Sequence, residues 1–172
     1  HAPIKRVYLE PSNLKPLPAA VHAIERADFI LIGPGSLYTS IIPNLLVKGI
    51  GQAVIRAKGE KIYIANLMTQ QGETRSFTAS QHIEAIHEHV GEAFIESVLI
   101  NEKELPPSIY ENYREENAEP VKFDIERLQE MGINIIPKEI ALIENGTVRH
   151  DAVNLAEWLF EYTVKKRQTM QE

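Results

Sequence analysis

The sequence contains no cysteine, and this absence excludes a disulfide framework, a thiolate zinc site and a cysteine nucleophile. It also fits a reducing compartment, so we expect a cytoplasmic protein. Long apolar runs are missing too, because a membrane-spanning helix needs about 18 to 20 apolar residues in a row, whereas the run Phe29–Ile32 ends at Gly33. The N-terminus shows no basic cluster followed by an apolar core. We therefore expect a soluble chain with no signal peptide and no membrane insertion.

Positive charge is also scarce. The chain has 18 Lys and Arg against 24 Asp and Glu, which gives a net charge of −6 and a pI near 5.6. This balance argues against a broad electrostatic contact with a nucleic acid backbone. A single small phosphorylated ligand remains compatible with it, since a pocket needs only a few local donors.

The alternation of short and long patterns predicts the fold class. Short β-branched runs alternate with amphipathic stretches along the 172 residues, which is typical of one α/β layered domain. Pro43 is expected to interrupt the second helix, and residues 102–126 are predicted as a surface excursion with one helix. Strands are predicted at 4–9, 28–32, 61–66, 97–101, 133–136 and 140–143, and helices at 17–26, 36–42, 50–57, 79–90, 125–131 and 151–166.

The strongest chemical signal directly follows the predicted strand 28–32. Ligands of open α/β sheets bind beyond the carboxyl ends of the strands. Gly33 and Gly35 allow close approach of the backbone, and the hydroxyls of Ser36, Thr39 and Ser40 suit phosphate. The run is neither G-x-G-x-x-G nor a P-loop, because no Gly-Lys-Ser/Thr follows. A plain strand-to-helix turn capped by serine fits equally well, so both interpretations stay open.

A second polar loop, 66–74, follows the predicted strand 61–66. It carries amide and hydroxyl groups, which can read the edge of a nucleobase or a sugar through hydrogen bonds. It is expected at the same edge of the sheet as the first loop. An ordinary polar loop that caps the next helix is the alternative.

Three histidines lie on the predicted helix 79–90. His82, His87 and His89 are not spaced as an i, i+4 metal pair. His82 lies near the helix start, where it could face the ligand edge, whereas His87 and His89 are predicted to be solvated. No metal site is expected.

Two late residues could complete a pocket. Tyr113, in the excursion, could stack on a base or merely fix the excursion to the body. Arg149 could meet a phosphate through a two-pronged contact or pair with the acidic excursion. Asp151 is predicted to cap the last helix.

These runs together resemble the CofD-like superfamily, and in particular its gluconeogenesis factor branch. The resemblance is carried by residues 31–47, 66–74, 118–121 and 149–151 and covers essentially the whole chain. It implies a Rossmann-like three-layer fold with a mainly parallel sheet. Members of this family begin with a Gly-rich nucleotide loop and an Asp-Asp segment, neither of which is present. By the resemblance, residues 1–172 are the C-terminal part of a single CofD-like domain.

The gluconeogenesis factor branch is associated with UDP-sugar binding, cell-wall synthesis, cell shape and growth on gluconeogenic carbon sources. The resemblance therefore implies a non-catalytic regulator that binds a UDP-N-acetylglucosamine-type nucleotide, or a dinucleotide, without a metal. It implies that Tyr113 stacks on the ligand and that Arg149 neutralises charge. The implied ligand-binding residues are Gly33, Pro34, Gly35, Ser36, Thr39, Ser40, Asn66, Met68, Thr69, Gln70, Tyr113 and Arg149.

Two other function classes stay open. The transferase branch of the superfamily moves a phospholactyl-type group from a guanosine diphosphate donor to a deazaflavin and uses Mg²⁺. An interaction module is the other class, with residues 102–126 as its contact surface. The apolar helix stripes fit a homodimer interface and a protein core equally. A threonine that is phosphorylated in some family members is replaced here by Ala152.

Overall fold

Four parallel strands form the central sheet of the computed structural model, which describes residues 4–169. Because all neighbouring pairs are parallel, the carboxyl ends of the four strands lie at one edge of the sheet. The predicted α/β fold with a mainly parallel sheet is confirmed. The order in the sheet equals the chain order, β1 (Phe29–Ile32), β2 (Glu60–Ile64), β3 (Ser97–Asn101) and β4 (Asn134–Lys138).

Helices cover both faces of the sheet and make the fold three-layered. α5 and α7 pack on one face, and the other helices pack on the opposite face. A π-helical turn, Leu37–Ile41, precedes α2. The helices are α1 (Pro18–Arg26), α2 (Ile42–Leu46), α3 (Ile50–Arg56), α4 (Ala79–Val90), α5 (Pro107–Arg114), α6 (Ile125–Glu130) and α7 (Ala152–Thr169). None of these described helices offers a stretch long and apolar enough to span a bilayer.

The two faces of the sheet belong to two separate hydrophobic cores. Tyr63 of β2 is buried among the helices of one face, while Ile62 and Ile64 are buried on the other. This alternation is the period of two that strand geometry imposes. All five residues of β3 are buried, as expected for a parallel strand covered on both sides.

A β-hairpin follows the sheet and leads into α7. Its strands β5 (Ala141–Glu144) and β6 (Thr147–His150) are antiparallel. The tight turn between them is made by Asn145 and Gly146, which have left-handed φ angles of 51° and 76°. The predicted cap is confirmed: the Asn154 amide donates to Asp151 Oδ1 at 3.0 Å.

The strand predicted at 4–9 is wrong, because the segment has no strand partner. Side chains hold it instead. The Val7 amide donates to His89 Nε2 at 3.1 Å, and the Tyr38 hydroxyl donates to the Ile4 carbonyl at 3.3 Å. Ile4 and Val7 pack against the first core, so the apolar pattern reports burial of an irregular segment.

The predicted interruption at Pro43 is also wrong. The chain stays helical through this residue, since α2 follows the π-helical turn directly and Pro43 lies in its first turn. Proline is tolerated there because backbone amides of a first turn have no partner within their own helix.

The prediction of solvated histidines fails for both residues. His89 is buried, and its Nδ1 lies 2.6 Å from the Ala85 carbonyl. His87 is partly buried, and its Nε2 accepts hydrogen bonds from the amides of Phe94 and Ile95 at 3.2 and 3.1 Å. Both imidazoles therefore satisfy backbone groups within the protein.

Candidate functional site

A cavity of about 600 Å³ lies at the carboxyl edge of the sheet, where the loops after β1 and β2 meet. This size falls within the usual range of small-molecule sites, about 300 to 1,000 Å³. The two polar loops were expected to share this edge, and they do line one cavity. Its lining residues are Gly35, Ser36, Asn66, Leu67, Met68, Thr69, Gln70, Gln71, Tyr113, Glu116, Ala118, Val148 and His150.

The first loop contributes Gly35 and Ser36 to the cavity. Ser36 precedes the π-helical turn, and its side chain makes no capping hydrogen bond, so its hydroxyl is available. Gly33 has a left-handed φ of 92°, and a Cβ at this position would lie 3.2 Å from the Ile64 carbonyl oxygen. The glycine at position 33 therefore allows the loop to pack against the end of β2 rather than against a ligand.

The remaining residues predicted in the first loop do not line this cavity. Gly33, Pro34 and Ser40 line a second cavity of about 460 Å³ beside β1. Thr39 is exposed, and its hydroxyl lies 3.5 Å from Glu73 Oε1. The structure thus divides the predicted phosphate loop between two sides of β1.

The second loop is hydrogen-bonded to the part of the excursion that follows α5, at residues 119–121. The Thr69 amide donates to the Glu119 carbonyl at 2.7 Å, and the Glu119 amide donates to Thr69 Oγ1 at 3.0 Å. The Val121 amide donates to the Leu67 carbonyl at 3.0 Å. The Thr69 hydroxyl, predicted to bind ligand, therefore accepts from the protein itself, and the excursion forms one wall of the cavity.

Asn66 and Met68 take the predicted positions on the lining. Asn66 is buried, and its Oδ1 accepts from the Tyr63 hydroxyl at 3.4 Å. Its amide N–H groups remain as donors. Met68 is half-buried and adds apolar surface.

Buried polar atoms without a partner concentrate in this loop and just after it. Among the residues that the structure describes, the buried side-chain atoms that lack a hydrogen bond are Gln70 Oε1, Glu73 Oε2 and His82 Nε2. His82 is fully buried, with Nδ1 2.8 Å from the Thr78 carbonyl, so it does not face the ligand edge openly as expected. A buried group without a partner usually marks a functional constraint or a missing ligand or water.

Tyr113 reaches the cavity from α5, as predicted. Its hydroxyl accepts a hydrogen bond from the Val148 amide at 2.9 Å, which fastens α5 to β6. The ring also packs against the second core. Tyr113 therefore fixes the excursion to the body and also lines the cavity, and its stacking on a base stays a prediction.

Arg149 is the predicted residue that the structure separates from the cavity. Val148 and His150 line the cavity, whereas Arg149, between them on β6, is exposed and does not. Alternation along a strand explains this, because neighbouring side chains point to opposite faces. The role of Arg149 stays a prediction.

His150 was missed as a lining residue. Its Nε2 lies 3.0 Å from the Ala65 carbonyl oxygen, and burial lowers the pKa of the ring, with that hydrogen bond opposing. The period of two along β6 was the available signal, since a hairpin strand next to the sheet places positions 148 and 150 on one face.

The lining mixes polar and apolar side chains and carries little charge. Glu116 is the charged side chain among the described lining residues, and no lysine or arginine joins it. Within residues 4–169, no group of three His, Asp or Glu side chains is arranged to hold a metal ion. The cavity therefore suits an uncharged, hydrogen-bonding part of a ligand.

Known proteins match the chain along most of its length. The sequence profile of the family described as 2-phospho-L-lactate transferase CofD matches residues 1–141. A gluconeogenesis factor of Bacillus subtilis is 48% identical over 158 residues, which make up 92% of this chain and 50% of that protein. A putative gluconeogenesis factor of Clostridium acetobutylicum is 40% identical over 166 residues, or 96% of this chain and 37% of that protein.

Solved structures agree with the sequence matches. A crystal structure of a Bacillus halodurans protein superposes with a TM-score of 0.87 at 41% identity, covering 92% of this chain and 51% of that one. The chain thus spans about half the length of this structure and of the Bacillus subtilis relative.

Proposed function

Since the chain belongs to the gluconeogenesis factor branch of the CofD family, we propose that it binds a UDP-sugar at the carboxyl edge of its sheet. The supporting observation is the cavity of about 600 Å³ between the loops after β1 and β2. Its amide, hydroxyl and backbone groups suit a nucleobase or a sugar, and its location is where open α/β sheets bind ligands.

The distribution of charge suggests how such a ligand lies. With Glu116 as its charged lining residue, the cavity favours the uncharged portion of the nucleotide sugar. The diphosphate is then expected at the rim, beside the uncapped hydroxyl of Ser36. Arg149 would approach it from outside the lining, and this role comes from the family resemblance.

The biological role that we propose is regulatory. Relatives that cover most of the chain are named gluconeogenesis factors. We accordingly propose that the protein senses UDP-N-acetylglucosamine-type precursors and regulates cell-wall synthesis, cell shape and growth on gluconeogenic carbon sources, without catalysing a reaction itself.

Isothermal titration calorimetry with UDP-N-acetylglucosamine tests the binding claim. The purified chain should bind, and Arg149→Ala should weaken binding about tenfold, because a charged hydrogen bond contributes about 1.5 kcal/mol or more. Arg26→Ala, which removes another exposed arginine, is the matched control and should bind normally. Absence of binding would overturn the proposal, and unchanged binding by Arg149→Ala would remove Arg149 from the site.

A transferase activity is the second candidate. It is favoured by the family profile over residues 1–141, whose description is that of a phospholactate transferase. Incubation with a guanosine diphosphate-linked phospholactate, a deazaflavin acceptor and Mg²⁺ separates the two candidates. Product formation would favour the transferase, and its absence beside UDP-sugar binding would favour the regulator.

A further inference from the structure

The candidate cavity must recognise its contents largely through neutral hydrogen bonds. Its described lining lacks a cationic side chain, and its charged residue is the exposed Glu116. Specificity inside the cavity therefore depends on which neutral donors and acceptors the protein has not already used.

Several lining groups already accept one hydrogen bond from within the protein. Asn66 Oδ1 accepts from a tyrosine hydroxyl, Thr69 Oγ1 accepts from a backbone amide, and the Tyr113 oxygen accepts from another. These groups also keep hydrogen-bond donors for a ligand, namely the Asn66 amide N–H groups and the Thr69 and Tyr113 O–H groups.

His150 retains an acceptor. Its Nε2 lies 3.0 Å from the Ala65 carbonyl oxygen. A carbonyl oxygen can only accept, so the neutral ring must carry its proton on Nε2, which leaves the lone pair of Nδ1 as an acceptor. The imidazole lines the cavity from β6.

Gln70 retains an acceptor as well. Its backbone amide donates to Thr74 Oγ1 at 3.0 Å, which fixes the loop locally. Its side-chain Oε1 is buried and has no hydrogen-bond partner among the described residues. A buried acceptor without a partner destabilises the protein. Gln70 also lines the cavity, so a rotation of its side-chain amide toward the cavity would bring Oε1 to a donor on the ligand.

We propose that Gln70 Oε1 and His150 Nδ1 determine specificity by accepting hydrogen bonds from N–H or O–H groups of the uncharged part of the ligand. This inference rests on the proposed function. It adds that the protein accepts these hydrogen bonds and the ligand donates them. A UDP-sugar has three sources of such donors: the imide N–H of the uracil ring, the hydroxyls of the ribose, and the hydroxyl and amide groups of the attached sugar.

Two substitutions isolate these acceptors. In His150→Gln, the side-chain amide nitrogen can occupy the position of Nε2 and keep the bond to Ala65, but no acceptor remains at Nδ1. Gln70→Leu removes the other acceptor at similar size. The matched controls are His22→Gln and Gln52→Leu, since both residues are exposed and lie on helices outside the cavity lining.

Calorimetric titration of each variant with UDP-N-acetylglucosamine provides the test. His150→Gln and Gln70→Leu should each weaken binding at least tenfold, because a site built for a hydrogen bond discriminates strongly when one partner is missing. The controls should bind as the parent chain does. If both acceptor variants bind normally while the parent binds, this inference is overturned and the proposed function survives. If the parent does not bind, the proposed function is overturned and this inference with it.

Two further probes distinguish the source of the donor. If uracil or the ribose is read, UDP should lose affinity in the variants too. 3-Methyluridine 5′-diphosphate should bind the parent weakly if uracil is read, and as well as UDP does if the ribose is read. If the sugar attached to the diphosphate is read, UDP should bind the variants and the parent equally. Only the affinity that the attached sugar adds should then disappear in the variants.

A nitrogen-15 spectrum of the imidazole groups reports on His150 without relying on affinity. The Nδ1 resonance should be that of an unprotonated nitrogen in the free protein and should shift when UDP-N-acetylglucosamine is added. A protonated Nδ1 in the free protein at neutral pH would overturn the role of His150 even if its variant binds weakly.

Discussion

The two edges of the central sheet use their polar groups differently. At the amino edge, Glu60 at the start of β2 accepts from the Ser97 hydroxyl at 2.6 Å and the Tyr162 hydroxyl at 3.2 Å, and it pairs with Lys166 of α7. Burial alone would raise the pKa of Glu60, but the bonds from Lys166 and Ser97 outweigh it and lower the pKa. This edge is a closed network that fastens α7 to the sheet.

At the carboxyl edge, hydrogen-bonding capacity is left over. Gln70 Oε1, on a residue that lines the cavity, is buried without a partner among the described residues. Glu73 Oε2 and His82 Nε2 also lack a partner and follow β2 in the chain, but these two residues lie outside the cavity lining. Polar residues at the two edges of one sheet thus serve opposite purposes. Closed networks stabilise the fold, while open capacity beside a cavity is what a ligand would complete.

The largest expected effect comes from breaking the closed network. Glu60→Ala removes the shared acceptor of Ser97, Tyr162 and Lys166. The free energy of unfolding should fall by about 2–3 kcal/mol, because hydrogen bonds to charged groups contribute about 1.5–3 kcal/mol. Chemical denaturation measures this change.

The control for Glu60→Ala is Lys103→Ala, which breaks the exposed pair of Lys103 and Glu139 and should change stability by less than about 0.5 kcal/mol. Equal effects of the two substitutions would contradict the closed network. UDP-sugar binding by folded Glu60→Ala should be unchanged, since Glu60 lies at the other edge.

The next effect concerns the junction of the two loops at the open edge. Gly33→Ala adds a Cβ to a residue with φ of 92°, 3.2 Å from the Ile64 carbonyl oxygen, and should destabilise the protein by about 1–2 kcal/mol. Gly72→Ala is the matched control, because Gly72 has φ of 82° but nothing within 4 Å of its added Cβ. Thermal unfolding should show a larger loss for Gly33→Ala. A loss as large for Gly72→Ala would mean that the contact with Ile64 adds nothing.

Acid should destabilise the protein through histidines near both edges. Burial lowers the pKa values of His82, His87 and His150 below the ordinary 6.5, against opposing hydrogen bonds or carboxylates. The unfolded chain therefore takes up protons before the folded one, so stability is complete above pH 6.5 and declines as the pH falls through the lower, folded-state values. Denaturation curves between pH 7.5 and pH 5, roughly the range over which histidine titrates, measure this decline.

The smallest expected effect is the contribution of His87 alone to the acid-induced loss of stability. His87→Gln keeps an acceptor for the Phe94 and Ile95 amides and should change stability at neutral pH by less than about 1 kcal/mol. Its acid-induced decline should be shallower than that of the parent. His22→Gln, at an exposed position, should leave the decline unaltered, and an identical decline in all three proteins would exclude His87 as a contributor.

The fold could largely be predicted because its pattern is regular. The run 97–101 is buried throughout, and the helix predicted at 79–90 has the observed bounds, since apolar spacing reports directly on burial. The segment 4–9 could not be predicted, because its partners are the side chains of Tyr38 and His89, remote in sequence. The apolar pattern of a segment does not reveal whether its backbone pairs with a neighbouring strand or with side chains remote in sequence.

The sequence predicted which loops line the cavity, but it did not predict which of their atoms are already hydrogen-bonded within the protein. Asn66, Gln70 and Tyr113 do line the cavity, as the strand-end rule suggested. The sequence could not show that the Glu119 backbone amide donates a hydrogen bond to the Thr69 hydroxyl, because that bond joins residues fifty positions apart. Nor did the sequence show that Val148 and His150 line the cavity while Arg149 does not. That difference depends on which face of β6 is turned toward the cavity.

Backbone amide chemical shifts recorded during a titration with UDP-N-acetylglucosamine test the difference between the two edges most directly. We expect shift changes at Ser36, in the segment 66–70 and at His150, with Glu60 and Ser97 unaffected. Changes confined to the amino edge, or no changes at all, would contradict the assignment of the ligand site to the open carboxyl edge.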